Sequence, residues 1–269
     1  MLRLFRGAVL ALMLVPSAGT AQDFDAGTEA YRNSDFSTAV RQWTPLAEQG
    51  NAIAQRNLGL MYEGGQGVPQ DYAEAAKWYR LAAEQGNANA QANLGYMYNN
   101  GQGVPQDDAE ALKWWRLAAE QGDASAQYNL GVMYNKGQGV LQDYAEGLKW
   151  YRLAAEQGDA SAQYNLGVMY NNGQGVLQDY AEALKWYRLA AKQGNASAQA
   201  NLGVMYNNGQ GVPQDFLTAH MWYNLGASNG NQLGFENRDI IAKQMIPADV
   251  SEAQRRARVC LASGYQDCD

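Results

Sequence analysis

The side chains that could do chemistry in this chain are few and widely spread. His220 is the only histidine among 269 residues, so a multi-histidine metal site or a Ser-His-acid triad has one possible member. It stands in Thr-Ala-His-Met-Trp-Tyr, a helical context that favours a packed, structural histidine. Acidic pairs such as Asp143 and Glu146 could serve as acid and base, but their spacing also suits a helix cap. These residues predict no catalytic centre and no metal site.

Three other sequence patterns can each be interpreted either as a ligand-binding site or as a structural feature. Residues 64–67, Gly-Gly-Gln-Gly, lack the Lys-Ser/Thr ending and the preceding strand of a phosphate loop, so they read as a turn. Tryptophans recur at one spacing and could stack on sugars, and the methionines between Met61 and Met205 could bind copper. The fixed spacing favours structural packing over ligand binding for both the tryptophans and the methionines. The tryptophans are Trp78, Trp114, Trp150, Trp186 and Trp222. The sequence therefore predicts neither an enzyme nor a cofactor.

The spacing itself is the main signal. Asn-Leu-Gly recurs every 36 residues, at Asn57, Asn93, Asn129, Asn165 and Asn201. A fixed period in this range is typical of a solenoid, in which each repeat buries its apolar face against the next. The high glycine content belongs to this pattern and does not indicate disorder.

Each repeat contains an amphipathic helix with recognisable ends. In the first repeat, apolar residues at 75, 78, 79, 82 and 83 follow helical spacing. Asp71 precedes them as an N-cap, and Glu74 is placed to reach back to it in a capping box. Gly86 then suits the left-handed conformation that ends a helix.

A second, shorter helix follows this one and has a glycine at its centre. Ala90, Leu94, Met97 and Tyr98 form its apolar face, and Gly95 lies among them. A mid-helix glycine costs roughly 0.5–1 kcal/mol relative to alanine. Its return in every repeat predicts that neighbouring helices cross there at close range. A Gly-Gln-Gly-Val loop joins the two helices.

These motifs resemble the Sel-1-like repeat, a relative of the tetratricopeptide repeat. The resemblance covers about residues 52–230 and rests on Ala-x-x-x-Leu-Gly-x-Met-Tyr, Gly-x-Gly-Val and Ala-x-x-Trp-Tyr-x-x-Ala-Ala-x-Gln-Gly. It implies an all-α fold, a right-handed α/α solenoid of 36-residue helix-loop-helix repeats. It also implies a protein that binds other proteins, often as an adaptor or assembly factor, rather than a catalyst.

The predicted organisation has four parts. Residues 1–21 read as a signal peptide, with Arg3 and Arg6, an apolar run over 7–15, and cleavage after Ala21; the alternative is a buried N-terminal helix. Residues 22–50 are predicted to form a degenerate N-terminal repeat, and residues 51–230 are predicted to form five repeats. Residues 231–269 are predicted to form a helical cap and tail, with helices at about 234–245 and 250–262. We therefore expect a periplasmic or secreted protein without a stable membrane anchor after cleavage.

The net charge of the chain limits the classes of partner that are expected. Without Arg3 and Arg6, 18 of the 20 basic residues remain against 27 acidic ones, a net charge of −9. Nucleic acid and anionic membrane surfaces are therefore not expected partners. The acidity itself is interpreted mainly as a solubility feature.

Comparison of the repeats locates a candidate binding surface, here called the variable stripe. In the shorter helix some positions change while the apolar ones do not, and the changing positions share one face, expected to point away from the core. Tetratricopeptide-like solenoids line their concave groove with this helix, so the stripe would suit a peptide or helix; alternatively, variation falls where nothing constrains it. The variable stripe comprises Arg56, Leu60, Tyr96, Tyr128, Val132, Lys136, Tyr164, Val168, Asn172 and Val204.

The leading functional hypothesis is an exported adaptor that binds another protein or peptide in this groove. The alternatives are a scaffold for envelope glycan or polysaccharide assembly and, with less support, an exported hydrolase. Cys260 and Cys268 are the only cysteines, and in an exported chain they form either a disulfide or two free thiols.

Overall fold

The structure, a computed structural model, describes residues 18–268, with side chains from residue 24 onward. Residues 1–17 of the predicted signal peptide lie outside the described residues. Within the described part the chain is all α, with fourteen helices and no strand. No helix there is long and apolar enough to cross a membrane.

The helices alternate along the chain in the predicted period. Before the repeats stand α1 (Ala18–Arg32) and α2 (Phe36–Glu48). The first helices of the five repeats are α3 (Ala52–Gly64), α5 (Ala88–Asn100), α7 (Ala124–Lys136), α9 (Ala160–Asn172) and α11 (Ala196–Asn208). The second helices are α4 (Tyr72–Glu84), α6 (Asp108–Glu120), α8 (Tyr144–Glu156), α10 (Tyr180–Ala191) and α12 (Phe216–Ser228). Two helices follow the repeats, α13 (Gln232–Ala242) and α14 (Pro247–Ala262).

The described chain divides into two compact units. The first contains α1 to α4 together with residues 102–104, and the second contains α5 to α14 without those three residues. Each second helix packs on the first helix of its own repeat, and α2, α6, α8 and α10 also pack on the first helix that follows within the same unit. The prediction of an all-α solenoid of 36-residue repeats is thereby confirmed.

The second helices begin as predicted, with one correction. The Asp71 carboxylate accepts hydrogen bonds from the Ala73 and Glu74 backbone N–H groups at 2.9 and 3.0 Å. The expected return bond from Glu74 to the cap is absent among the described contacts, because the Asp71 N–H already donates to the Tyr62 carbonyl at 3.0 Å. Glu74 instead pairs with Lys77 at 3.1 Å, an exposed pair that adds little stability.

The second glycine of the Gly-Gln-Gly-Val loop is required because the backbone of a neighbouring helix lies very close to it. Gly175 has a φ of +70°, and a Cβ there would lie 2.5 Å from the backbone carbonyl of Tyr144. The loop of repeat 4 thus rests directly on the start of the second helix of repeat 3. A side chain at this position would force the two repeats apart.

The mid-helix glycines make room for an aromatic ring. A Cβ on Gly131 would lie 2.6 Å from Cε1 and 2.8 Å from Cγ of Tyr151, a residue of the following helix. Gly167 meets Tyr187, and Gly95 meets Trp115, in the same way. The predicted close crossing exists, but a side-chain ring, not a neighbouring backbone, fills the space above the glycine.

A ladder of buried glutamines joins consecutive repeats. Gln127 is buried, donates from Nε2 to the Ala119 carbonyl at 3.1 Å, and accepts at Oε1 from Gln157 at 2.7 Å. Gln163 repeats this with Ala155 and Gln193. Since buried polar groups cost free energy unless they are hydrogen-bonded, these invariant glutamines are explained by structure and need no role in binding.

The N-terminal helices α1 and α2 pack on each other through a glycine and an aromatic ring, as the two helices of a repeat do. Trp43 packs over Gly27, where a Cβ would lie 2.5 Å from the indole nitrogen. These two residues are 16 apart, against 20 for Gly59 and Tyr79, because the connection between α1 and α2 lacks the glycine loop.

The C-terminal helices differ in their bounds from the sequence prediction. The expected 234–245 helix is α13, which runs from Gln232, capped by Asn231, and ends at Ala242. The expected 250–262 helix starts earlier, because Pro247 lies inside its first turn and suits a position that needs no N–H donor. A disulfide joins Cys260, in α14, to Cys268, with the Cα atoms 4.6 Å apart.

His220 is buried on α12, and burial lowers the pKa of its imidazole, with the nearby Arg238 acting in the same direction and Asp239 against it. Its Nδ1 has no hydrogen-bond partner among the described residues. This environment favours a neutral imidazole packed among the helices.

The lowered pKa of His220 predicts a pH-dependent stability. The unfolded chain takes up a proton near pH 6.5 while the folded chain resists it, so stability should be full above pH 6.5 and fall as the pH drops below it. We expect the melting temperature of the protein to fall by a few degrees between pH 7.5 and pH 5.5. His220→Leu, which places there the residue found at Leu184 in the preceding repeat, should lose most of that fall. An equal fall in both proteins would contradict the assignment.

Candidate interaction groove

The structure places all ten residues of the variable stripe on first helices. Arg56 and Leu60 lie on α3 in the first unit, and the other eight lie on α5, α7, α9 and α11 in the second unit. Tyr96 is 48% exposed, and Lys136 and Asn172 are exposed at the ends of α7 and α9. The residues at 128, 132, 164, 168 and 204 are half-buried.

The two stripe tyrosines are less free than the sequence predicts. The Tyr128 ring centroid lies 5.9 Å from that of Tyr151, and Tyr164 stands in the same relation to Tyr187. Val132 and Val168 also pack against the core of the second unit. The expectation that this face points away from the core is therefore wrong for these four residues. The aromatic rings that occupy the space above the mid-helix glycines lie directly beneath them. Each of the two tyrosines is therefore partly covered by the ring beneath it.

The rings below the stripe are held as neutral phenols. Burial raises the pKa of Tyr151 and Tyr187, the neighbouring stripe tyrosine raises it further, and the amides of Asn165 and Asn201 oppose the rise. Burial also raises the pKa of Tyr223 to about 12. At neutral pH this layer adds no charge to the face above it.

A cavity opens between two first helices of the second unit. It has a volume of about 220 Å³ and lies beside the stripe residue Val204. Its lining is mainly polar and consists of Asn171, Tyr187, Asn201, Val204, Met205, Asn208 and Gln210. Amide groups both donate and accept hydrogen bonds, so this lining matches a peptide backbone or a polar side chain.

An equivalent cavity lies in the first unit, between α1, α2 and α3. It has a volume of about 190 Å³ and contains the stripe residues Arg56 and Leu60. Thr28, Tyr31, Trp43 and Asn57 complete the lining. Sequence reasoning missed the first three of these, although alignment of Trp43 with Tyr79 was a signal that could have found them.

The opposite side of the repeats is occupied by packing. Trp150 is buried, and the Lys149 ammonium lies 5.3 Å from its ring centroid; Trp186 and Lys185 repeat the arrangement. The tryptophans pack between repeats and present no open ring face for a sugar. Within the described residues, no group of three His, Cys, Asp or Glu side chains stands together.

Comparison with known proteins identifies the fold. The profile of the Sel1 repeat family matches residues 52–87, 88–123, 124–159, 160–195 and 196–231. This chain belongs to the Sel1 repeat family. The match covers the five repeats defined above by their helices, and it leaves α1, α2, α13 and α14 as flanking elements.

Two solved Sel1 repeat structures are similar to the chain over most of its length. One is c5321, a protective antigen of uropathogenic Escherichia coli strains, with a TM-score of 0.80 and 38% identity over 89% of this chain. This chain spans 53% of that protein, about half its length. The other is a Sel1 repeat protein from Oxalobacter formigenes, with a TM-score of 0.77, 35% identity, and coverage of 87% of this chain and 98% of the other. A search of curated proteins returned no match.

Proposed function

We propose that this Sel1 repeat protein is an exported adaptor that holds a segment of another protein along the first helices of its repeats. One observation carries the proposal. Beside first helices α9 and α11, an open surface pocket of about 220 Å³ is lined mainly by amides and lies next to the stripe. Concave pockets with a few convergent polar groups are the usual places for ligands to bind.

The chemistry of the stripe favours a polypeptide as the ligand. Half-buried tyrosines and valines offer apolar contact, and the asparagines beside them can bond to main-chain groups. Tyr128 and Tyr164 are already fixed in place by the rings beneath them. Binding therefore costs little further ordering of these two side chains.

Photo-crosslinking tests this proposal directly. A photoreactive residue replaces Lys136 or Asn172 on the stripe, or Lys149 or Lys185 on second helices as matched exposed controls. After irradiation in an envelope extract of the native cells, we expect one protein species to be trapped from both stripe positions and from neither control. In the same preparation, the exported chain should begin at Gln22.

The glycan-scaffold alternative makes a different prediction in this experiment. If a glycan occupies the stripe, added envelope glycan should abolish the crosslinks, whereas a peptide digest of the trapped protein should not. Equal trapping from all four positions would contradict a defined binding surface altogether.

A further inference from the structure

The first helices of the second unit carry almost no charge. Over their helical spans, α5, α7, α9 and α11 contain a single charged residue, Lys136. Two N-cap aspartates, Asp123 and Asp159, precede α7 and α9, and their carboxylates accept hydrogen bonds from backbone N–H groups of those helices. The second helices differ, as α8 shows with two acidic and two basic residues. The net negative charge of the chain is therefore not carried by these first helices.

Two exposed asparagines stand at equivalent positions at the ends of α9 and α11. Asn172 accepts at Oδ1 a hydrogen bond from Nδ2 of Asn171, and Asn208 accepts one from Asn207, each at 2.9 Å. Among the residues whose side chains the structure describes, neither Asn172 nor Asn208 has a partner for its own Nδ2 group. Both residues are exposed, and Asn208 lines the cavity beside Val204. Their N–H donors are therefore held in place and accessible to a ligand.

The residues that line this cavity recur one repeat earlier. Each of the seven lining residues has a residue of the same type 36 positions before it, from Asn135 to Gln174. A further repeat earlier the match ends, because Trp115 and Lys136 replace the tyrosine and the exposed asparagine. The first helices α9 and α11 therefore present matching amide surfaces in neighbouring repeats.

The separation of the two asparagines suits an extended chain. First helices of neighbouring repeats lie side by side, as the contact between α7 and α9 shows. Packed helix axes are about 8–10 Å apart, and an extended chain advances about 3.3 Å per residue. An extended ligand that crosses α9 and α11 would therefore meet Asn172 and Asn208 with residues about three positions apart.

We propose that α9 and α11 bind an extended, uncharged segment of the partner protein. Asn172 and Asn208 each donate a hydrogen bond to a main-chain carbonyl of that segment. Val168 and Val204, which are half-buried, contact the side chains between those carbonyls. A charged side chain would lose its hydration on this face without gaining an ion pair, so a neutral segment is preferred.

This inference rests on the proposed function in taking a protein segment to lie along the first helices. It adds the charge of the segment, its extended conformation and its register on the repeats. A polypeptide fits better than a glycan, because the rings of Tyr128 and Tyr164, on which a sugar could stack, are partly covered.

The test follows the side-chain amide signals of Gln174 and Gln210, which stand at matching places in the two surfaces, in the nitrogen-15-labelled full chain. Each signal is assigned by its loss in Gln174→Ala or Gln210→Ala. The main probe is a neutral, twelve-residue peptide that repeats Thr-Asn-Ala and is blocked at both ends. Two charged versions carry aspartate or lysine in place of each asparagine, and maltohexaose serves as a neutral glycan.

We expect the neutral peptide to shift both signals and to reach saturation. Both charged peptides should bind at least fivefold more weakly. The dissociation constant of the neutral peptide should change less than twofold between 50 and 500 mM sodium chloride, because no charge pair is available for the salt to screen.

Matched variants separate the two asparagines from a general charge effect. Asn172→Asp with Asn208→Asp keeps the shape of the side chains, removes both donors and adds two negative charges, so it should weaken the neutral peptide at least tenfold. Ala145→Asp with Ala181→Asp adds the same charge at exposed positions one repeat apart on second helices, and it should leave binding within twofold. Circular dichroism verifies that both double variants are folded.

The inference is overturned if the neutral peptide shifts neither signal, if a charged peptide binds as tightly, or if maltohexaose binds more tightly than the peptide. It is also overturned if the folded Asn172→Asp with Asn208→Asp variant binds as the unaltered chain does. Such a result with intact crosslinks at Lys136 would remove only the uncharged segment and leave the adaptor. Shifts of both signals without any trapped protein would contradict the adaptor and leave the peptide-binding surface in place.

Discussion

Gly131→Ala should destabilise the protein by about 1–3 kcal/mol, although alanine is the better helix former. The new methyl group would lie within 2.8 Å of three atoms of the Tyr151 ring, Cγ, Cδ1 and Cε1. This is well inside van der Waals contact, so the ring must shift in a close-packed core. The gain in helix propensity, roughly 0.5–1 kcal/mol, is too small to offset that strain. Denaturant unfolding of the variant measures the net effect.

Gly147→Ala is the matched control, and its effect should have the opposite sign. Gly147 also lies inside a helix, but the corresponding residues of the other four repeats are alanines, at 75, 111, 183 and 219. An added Cβ would meet the Gly131 carbonyl at 3.2 Å and nothing nearer, a contact that those alanines already tolerate. We expect a stabilisation of up to about 1 kcal/mol. If both variants shift stability in the same direction, the ring-over-glycine account is wrong.

The local features of the fold could be predicted from sequence because each depends on neighbouring residues. The Asp71 cap, the helix-ending Gly86 and the apolar faces are set within one or two turns of helix. Because the period is fixed, an interpretation that is correct for one repeat is correct for all five. Where the consensus ends, after residue 231, the bounds of α13 and α14 shifted by a few residues.

The contacts between distant residues could not be predicted in the same way. The residues around Gly131 in the sequence do not indicate that the Tyr151 ring, twenty residues later, occupies the space above it. Likewise, the residues around Gln127 do not indicate its hydrogen bond with Gln157. The half-burial of Tyr128 follows from the first of these contacts. The cavity of the first unit depends on the packing of Trp43 against Gly27, which lies on a different helix.

The second large effect concerns the stripe tyrosines, which occupy equivalent places one repeat apart. Repeats 3 and 4 are nearly identical in sequence, so Tyr128 and Tyr164 offer two copies of one contact. Truncation of a buried interface tyrosine often costs about 2 kcal/mol or more, close to thirtyfold in affinity. Loss of both should weaken capture of the partner by a hundredfold or more.

The same substitutions also reduce stability, because the rings lie against Tyr151 and Tyr187. The control is therefore Tyr144→Ala with Tyr180→Ala, which removes two half-buried tyrosines, also one repeat apart, from the starts of second helices. Both double variants are compared at a temperature where each is fully folded by circular dichroism.

The affinity of the crosslinked partner for these two variants is the most direct test of the adaptor account. The purified partner is titrated into the unaltered chain, the stripe variant and the control variant, and the three dissociation constants are compared. The account predicts a loss of a hundredfold or more for Tyr128→Ala with Tyr164→Ala, and a change of less than threefold for the control. Equal affinity for all three chains would contradict binding along the first helices.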